Sequence, residues 1–319
     1  MEFCVELTYS EMTDDARLDR IASQGVTAIS APIDFIESSP PSLLRERAGA
    51  LSSLGIKVLT AHPRFGLYNS DYSLVNQYAP QRKRYIEQLK GVFGRMSLFG
   101  IKAAPLHTGG SCLPSSPAWA LDLCAESVRA VLPEAISAGI VITLENTFFT
   151  YPQQWDGGSG DSGRPPESSM YIYDDVGKLC SLIDGLTSPY VKGCFDLGHA
   201  HYLGDVVEDH RAMGGRIFLY HLHDNNKSRD MHLPPGYGTL DWELFGEIFP
   251  ADEPDNRSGF VTYIEADPWT PGDYGLMIRE TKALLGLDKK KPPRREYRRC
   301  IKCGHLILED GCGEFCGCK

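Results

Sequence analysis

The chain has no run of about 18 apolar residues, which excludes a membrane-spanning helix of ordinary length. It also lacks a basic region followed by an apolar one at its start. MEFCVELTYSEMTDD carries acids there, so a secretory signal is not expected and the cytoplasm is. Positive charge is scarce over most of the length: 32 Lys/Arg stand against 42 Asp/Glu. Nine of those basic residues and only four of the acids fall in 289–319, which leaves +5 there and −15 on residues 1–288. An acidic body repels nucleic acid at long range, although bound cations reverse the field locally. Cysteine is thin before the tail. Cys4, Cys112, Cys124, Cys180 and Cys194 are scattered and read as reduced core thiols.

What is present is a repeating alternation. Short apolar, β-branched runs fall at 2–7, 26–32, 55–62, 100–107, 139–146, 191–199, 215–224 and 260–268. Between them, segments with apolar residues three and four apart, as at 82–99 and 118–138, predict helices. Glycine separates helix from strand in SLGIKV, LFGIKA and SAGIVI, where a left-handed cap closes the helix. Eight βα units predict an α/β fold, a (β/α)8 TIM barrel; a doubly wound open sheet shares the local pattern. The polar residues favour the barrel. The runs end in His62, His107, Glu145, Asp196 with His199, His221 with His223, and Glu265. Buried charges need partners, and a barrel brings all these strand ends to one face, where active sites are built.

Two segments stand apart from this pattern. Residues 147–172, TFFTYPQQWDGGSGDSGRPPESSMYI, have no periodicity, and a loop of that length is functional or disordered. We read it as a lid over the barrel mouth, with Phe148, Phe149, Tyr151 and Trp155 covering a ligand. The barrel then spans 1–288, and KKKPPRREYRR at 289–299 is a basic linker, its prolines and like charges disfavouring a helix. Residues 300–319 hold Cys300, Cys303, Cys312, Cys316 and Cys318. Clustered cysteines without a secretion signal point to metal before disulfides. CIKCG has the form of half a zinc ribbon, so a small zinc-binding tail is expected; an iron-sulfur or redox role and a structureless thiol tail are the alternatives.

Imidazoles and carboxylates converging without sulfur suit Zn, Mn, Co or Fe, and Mg less well. LEN with Glu145, FDLGHAH with Asp196 and His199, YHLHD with His221, DMHLPPGYG with Asp230 and His232, and YIEADP with Glu265 carry a resemblance in order and spacing. Over residues 1 to about 287 the chain resembles the xylose-isomerase-like TIM-barrel superfamily, which includes sugar isomerases and epimerases and endonuclease IV (AP endonuclease family 2). Resemblance to the D-tagatose 3-epimerase-like branch implies one divalent metal on Glu145, Asp196, His221 and Glu265. The same two glutamates would then act as acid and base through a metal-stabilised enediolate. Resemblance to endonuclease IV implies three zinc ions, with His62 and His107 beside Glu145 for one, and His199, Asp230 and His232 for another.

The context leans to the sugar side. GYGTLDW after the Asp-x-His resembles isomerase-like members, the interval from His221 to Asp230 is shorter than in endonuclease IV, and its DNA-inserting loops have no clear counterpart. The chain also departs from ketohexose epimerases, which carry a second carboxylate where this sequence reads NTFFTYP and an arginine where it reads HDNNKSRD. His199, His223, Trp155 and Lys227 are the expected substrate contacts. Lys227 and Arg229 are as readily solvated charges, and His201 and His223 as readily structural groups on a backbone carbonyl. The expected partner is a small-molecule sugar or sugar derivative, nucleic acid comes second, no membrane is involved, and a homo-oligomer is left open. The leading expectation is a metal-dependent isomerase or epimerase. An AP endonuclease, a metal-dependent lyase and a non-catalytic metal-bound barrel that serves as a binding module are the alternatives.

Overall fold

The computed structural model describes residues 2–66, 70–108, 117–147, 176–227, 230–249, 260–268, 272–288, 297–299 and 306–308. Eight strands close into a barrel in sequence order: β1 Phe3–Glu6, β2 Ala28–Ser30, β3 Lys57–Thr60, β4 Ala103–His107, β5 Val141–Glu145, β6 Val191–Asp196, β7 Ile217–Leu222 and β8 Val261–Ile264. Every neighbouring pair is parallel, including β1 with β8, so the open-sheet alternative is excluded. Helices follow each strand. The longest are Ala79–Met96 after β3 and Pro117–Ala138 after β4. The expected left-handed glycines are in place at Gly55, Gly100 and Gly139, with φ of 72°, 68° and 69°.

Two cores result from the alternation of side chains along each strand. Cys4, Ala28, Ala103, Cys194, Leu219, Val261 and Tyr263 form a small cluster inside the barrel, where only compact residues fit around the one tyrosine. Outside, strand residues such as Ile29 and Phe195 pack against helix residues such as Phe35, Phe93 and Phe245. The cysteines Cys4, Cys124, Cys180 and Cys194 are free and buried, as core thiols should be.

Register sets the height of each ligand. His107 of β4 lies level with Glu145 of β5, and Asp196 of β6 with His221 of β7. A bulge between Gly193 and Cys194 shifts β6 against β7 and makes the second alignment. The sixth strand is shorter than the 191–199 expected: it stops at Asp196, and Leu197–Leu203 is a helix. The physical reason is a cap, since the Asp196 carboxylate accepts the His199 N–H at 2.6 Å. His199 therefore sits one helical turn above Asp196 instead of on the strand.

The 147–172 segment lies outside the described residues beyond Thr147, and so do Trp155 and the five tail cysteines. Within the region expected to be linker and tail, Tyr297–Arg299 pairs antiparallel with Leu306–Leu308. Among the described residues, no helix is long and apolar enough to cross a membrane.

Candidate metal centre

Six consecutive strands deliver polar side chains to the carboxyl end of the barrel. His62 stands two residues beyond β3, His107 and Glu145 end β4 and β5, Asp196 ends β6, His221 lies near the end of β7, and Glu265 follows β8. The Glu265 N–H extends the ladder, donating to the Leu222 carbonyl at 3.1 Å. The segment after β7 folds back over this ring. Asp224 pairs with Leu233 through both backbone bonds, which brings Asp230 and His232 above His199.

Glu145, 1% exposed, is the hub. Its Oε2 lies 3.4 Å from His62 Nε2 and 3.5 Å from His107 Nε2, while Oε1 lies 3.3 Å from His199 Nδ1 and 3.6 Å from His221 Nδ1. His221 Nδ1 is also 3.5 Å from Asp196 Oδ2 and 2.7 Å from Glu265 Oε2. Above, His199 Nε2 is 3.5 Å and His232 Nε2 2.8 Å from Asp230 Oδ2. Most of these separations exceed a good hydrogen bond. They match another geometry: two donor atoms each about 2.1 Å from a tetrahedral ion lie roughly 3.4 Å apart.

Three groups of ligand atoms follow, each mutually within 4.8 Å: His62, His107 and Glu145; Glu145, Asp196, His221 and Glu265; and His199, His223, Asp230 and His232. All nine positions expected as ligands are thus brought together. His223 joins them, and Cys194 lies beneath, within the same distance of Glu145 and His221. Sulfur is therefore closer than the sequence indicated. Burial pushes the Cys194 thiol far up in the metal-free protein.

The tautomers are set from behind. His62 Nδ1 faces the Pro63 carbonyl at 2.8 Å, His199 Nδ1 the Asn146 carbonyl at 3.1 Å, and His232 Nδ1 the Glu265 carbonyl at 3.0 Å. Carbonyls only accept, so each Nδ1 carries a proton and each Nε2 faces a carboxylate, either as a second N–H or as a lone pair across a shared cation. A lone pair facing an anion is unfavourable unless a cation lies between. Consistent with this, His62 Nε2, Glu145 Oε2, both ring nitrogens of His221, His223 Nδ1 and Asp230 Oδ1 are buried without a hydrogen-bond partner among the described residues. Each such atom costs on the order of 1–3 kcal/mol. Divalent cations at these three positions would partner the carboxylate oxygens and one nitrogen of each ring, so the donor set fits metal.

The electrostatics agree. Burial would raise Glu145, yet the charged His221 and His199 hold its carboxyl well below the usual range. Burial would lower His221 and His199, yet the carboxylates hold both well above their ordinary value. Against its burial, His232 beside Asp230 is carried up to about 9. His107 alone goes the other way, pushed down to about 3 by burial, and is neutral.

The expected substrate contacts are divided. His199 belongs to the outer ligand group, His223 has no exposed surface, and Lys227 is exposed on the segment after β7. His201 bonds Thr239 Oγ1 at 3.0 Å and is pushed down to about 4 by burial and the Lys227 charge, a structural pin. Sequence reading missed Phe65, which is 53% exposed and stacks on the His107 ring at 3.7 Å. It also missed Asp224, which accepts from Asn225 N, Gly236 N, Leu240 N and Trp242 Nε1 and so folds GYGTLDW beneath the site. Asn146 was missed too, although it follows Glu145 directly.

Residues 18–252 match the family model described as xylose isomerase-like TIM barrel, and the chain belongs to that family. Among solved structures it is similar to a D-tagatose 3-epimerase-like protein at TM-score 0.68 and 18% identity, covering 90% of this chain and 98% of that one. Similarity to the 3-keto-D-glucoside 4-epimerase YcjR of E. coli has TM-score 0.66 and 14% identity, over 88% and 99% of the two chains. The IolI protein with a bound zinc atom follows at 0.63 and 15%, over 89% and 98%. A curated relative, the uncharacterized protein y4fM of Sinorhizobium fredii, is 34% identical over 74 residues, 22% of this chain and 23% of its own length.

Proposed function

We propose that the chain is a divalent-metal-dependent isomerase or epimerase of a sugar or sugar derivative. The observation that carries this reading is the central group: Glu145, Asp196, His221 and Glu265 offer four ligand atoms within 4.8 Å at the barrel mouth. Two of the four are glutamates, from strand ends three places apart around the barrel. Two solved structures of similar fold are a D-tagatose 3-epimerase-like protein and a 3-keto-D-glucoside 4-epimerase, and a third carries zinc. A cation held by this group would supply Lewis-acid polarisation of a carbonyl and its neighbouring hydroxyl.

The chain's own residues would move the proton. Glu265, with its side chain 19% exposed against 1% for Glu145, has an open face toward the mouth and is placed to take a proton from the carbon beside the carbonyl. Glu145 is the deeper carboxylate and would return the proton from the other side. His221, 2.7 Å from Glu265, orients that carboxylate. Phe65 offers an apolar face beside His107, on which a sugar ring can stack.

A second reading, an endonuclease IV-like AP endonuclease, is favoured by one observation: all nine counterpart positions fall into three groups, two of which share Glu145. Proton NMR in deuterated water tests both. Protein loaded with zinc, manganese or cobalt is incubated with a panel of ketoses and aldoses, and in parallel with duplex DNA carrying one abasic site. Deuterium at the carbon next to a sugar carbonyl, absent after chelation, is the expected result. No exchange in any sugar together with incision of the DNA would transfer the assignment to the nuclease.

A further inference from the structure

Glu6 ends β1 two residues after Cys4 of the interior cluster, so it faces into the barrel, and it is exposed at the mouth. The register that pairs Cys4 with Tyr263 and Val5 with Ile264 continues upward and sets Glu6 beside Glu265. Tyr263, 2% exposed, donates its hydroxyl to Glu6 Oε2 at 2.6 Å. Its ring meets His221 edge-on, with centroids 5.1 Å apart and planes at 89°. One buried phenol thus braces a metal-facing imidazole and the Glu6 carboxylate together.

Satisfying the tyrosine takes a single acceptor, and a carboxylate brings a second oxygen and a full charge. Among the described residues Glu6 forms no ion pair, and its Oε1 has no hydrogen-bond partner. The charges that act on it most are those of Glu265, His62 and Asp267, none of them a lysine or arginine. Water satisfies Oε1 while the mouth is open. A substrate seated against Glu265 covers Glu6 and displaces that water, and a carboxylate stripped of water is costly unless a new donor replaces it. A phosphate or carboxylate of the substrate brings no donor there and adds repulsion; a hydroxyl donates.

We infer that Glu6 is a substrate-binding residue braced by Tyr263, that its free oxygen accepts a hydroxyl of the sugar, and that the end of the substrate lying against β1 and β8 is uncharged. The inference rests on the isomerase or epimerase reading and narrows it to a neutral sugar, in place of a sugar phosphate or a sugar acid. Glu6 transfers no proton. Its contact holds the reacting carbon against Glu265, a binding contribution that shows in KM more than in kcat.

The test uses the full chain loaded with zinc, manganese or cobalt, as wild type, Glu6→Gln and Tyr263→Phe. Proton NMR follows solvent deuterium exchange into neutral ketoses and aldoses, and into D-fructose 6-phosphate, D-glucose 6-phosphate and D-glucuronate. Bound ions are counted on the same preparations. Wild type is expected to exchange a neutral sugar with kcat/KM at least about tenfold above any charged one. Glu6→Gln keeps one acceptor for Tyr263 and should raise KM for that sugar roughly 10- to 100-fold, the scale of a hydrogen bond to a charged group, with a smaller change in kcat and the ion count of wild type. Tyr263→Phe retains the ring against His221 and should raise KM less, because only the brace is lost. Equal KM in wild type and Glu6→Gln, or a charged sugar exchanged faster than every neutral one, overturns the inference and leaves the isomerase reading standing. Ions lost from Glu6→Gln overturn it too, by making Glu6 part of the metal centre. No exchange into any sugar overturns both readings. If Glu6→Gln does not fold, the comparison of neutral and charged sugars on wild type decides.

Discussion

Asn146 and Asp196 are joined twice. The Asn146 Nδ2 donates to the Asp196 carbonyl at 2.9 Å, and the Asp196 N–H donates to Asn146 Oδ1 at 2.6 Å. This reciprocal pair locks the ends of β5 and β6 together immediately beside two metal-facing carboxylates, Glu145 and Asp196. Asn146→Ala leaves a buried N–H and a buried carbonyl unpartnered, at about 1–3 kcal/mol each. The expected outcome is a lower melting temperature and a central ion bound roughly 10- to 100-fold more weakly, although no ligand has changed. Zinc titration against a competing chelator measures the second effect. Unchanged affinity would show that the pair only supports the fold.

Gly238 tests the floor of the loop. A Cβ there would lie 2.1 Å from Asp224 Oδ1 and 2.3 Å from the Asn225 carbonyl, backbone that cannot swing aside. Gly238→Ala must push Asp224 away from its donors, including Trp242 Nε1 at 2.8 Å. Overpacking of this kind costs about 1–3 kcal/mol. Gly49→Ala, inside helix Pro41–Ser53 where nothing lies within 4 Å, is the control and should raise the melting temperature slightly, since alanine in a helix interior is favoured over glycine by about 1 kcal/mol.

What the sequence revealed and what it concealed have separate causes. Strand-end ligands were legible because each apolar run is short and its polar terminus is local, while the parallel barrel supplies the convergence. His199 was assigned to the wrong element because GH continues FDL without a break. What ends the strand is a side-chain cap from Asp196, a residue whose carboxylate also faces His221 and His223. The Asn146–Asp196 pair spans 50 positions and the stacking of Phe65 on His107 has no periodic trace. Such contacts are properties of the closed barrel, and only two of the polar residues beside the ligands, Asn146 and Asp224, hinted at them by position.

Protons and cations compete for the same imidazoles, which fixes the sign of the pH dependence. His232 is carried from 6.5 to about 9 in the folded, metal-free protein, and His199 and His221 are also raised. A raised pKa stabilises the fold fully below the unfolded value of about 6.5 and loses that contribution as pH climbs through about 9. Chelated protein should therefore melt at a lower temperature at pH 9 than at pH 7. Metal binding displaces these protons, so zinc affinity should rise over the same interval, by up to tenfold per pH unit for each proton released. His107, already neutral, contributes nothing to that slope. Melting curves with and without chelator across pH 6 to 9 check the opposed trends. Parallel curves would mean that the histidines are not metal ligands.

The two glutamates are separable by experiment because their surroundings differ. Both oxygens of Glu145 face imidazoles, of His62 and His107 on one side and His199 and His221 on the other, so it borders every group of the centre. The Glu265 carboxylate meets the central group through His221 and keeps an open face, while its backbone carbonyl accepts from His232 of the outer group. Glu145→Gln should lose turnover and bound ions together, since an amide offers four imidazoles one neutral acceptor in place of a shared anion. Glu265→Gln should lose turnover by 10²-fold or more, the usual scale for an acid or base, while retaining the ions of the outer group and of the group formed by His62, His107 and Glu145. Turnover on the sugar that exchanges deuterium, measured beside ion counts on the same preparations, distinguishes the outcomes. Wild-type turnover in both variants would remove the glutamates from the chemistry, and equal loss of ions in both would make Glu265 as much a scaffold as Glu145.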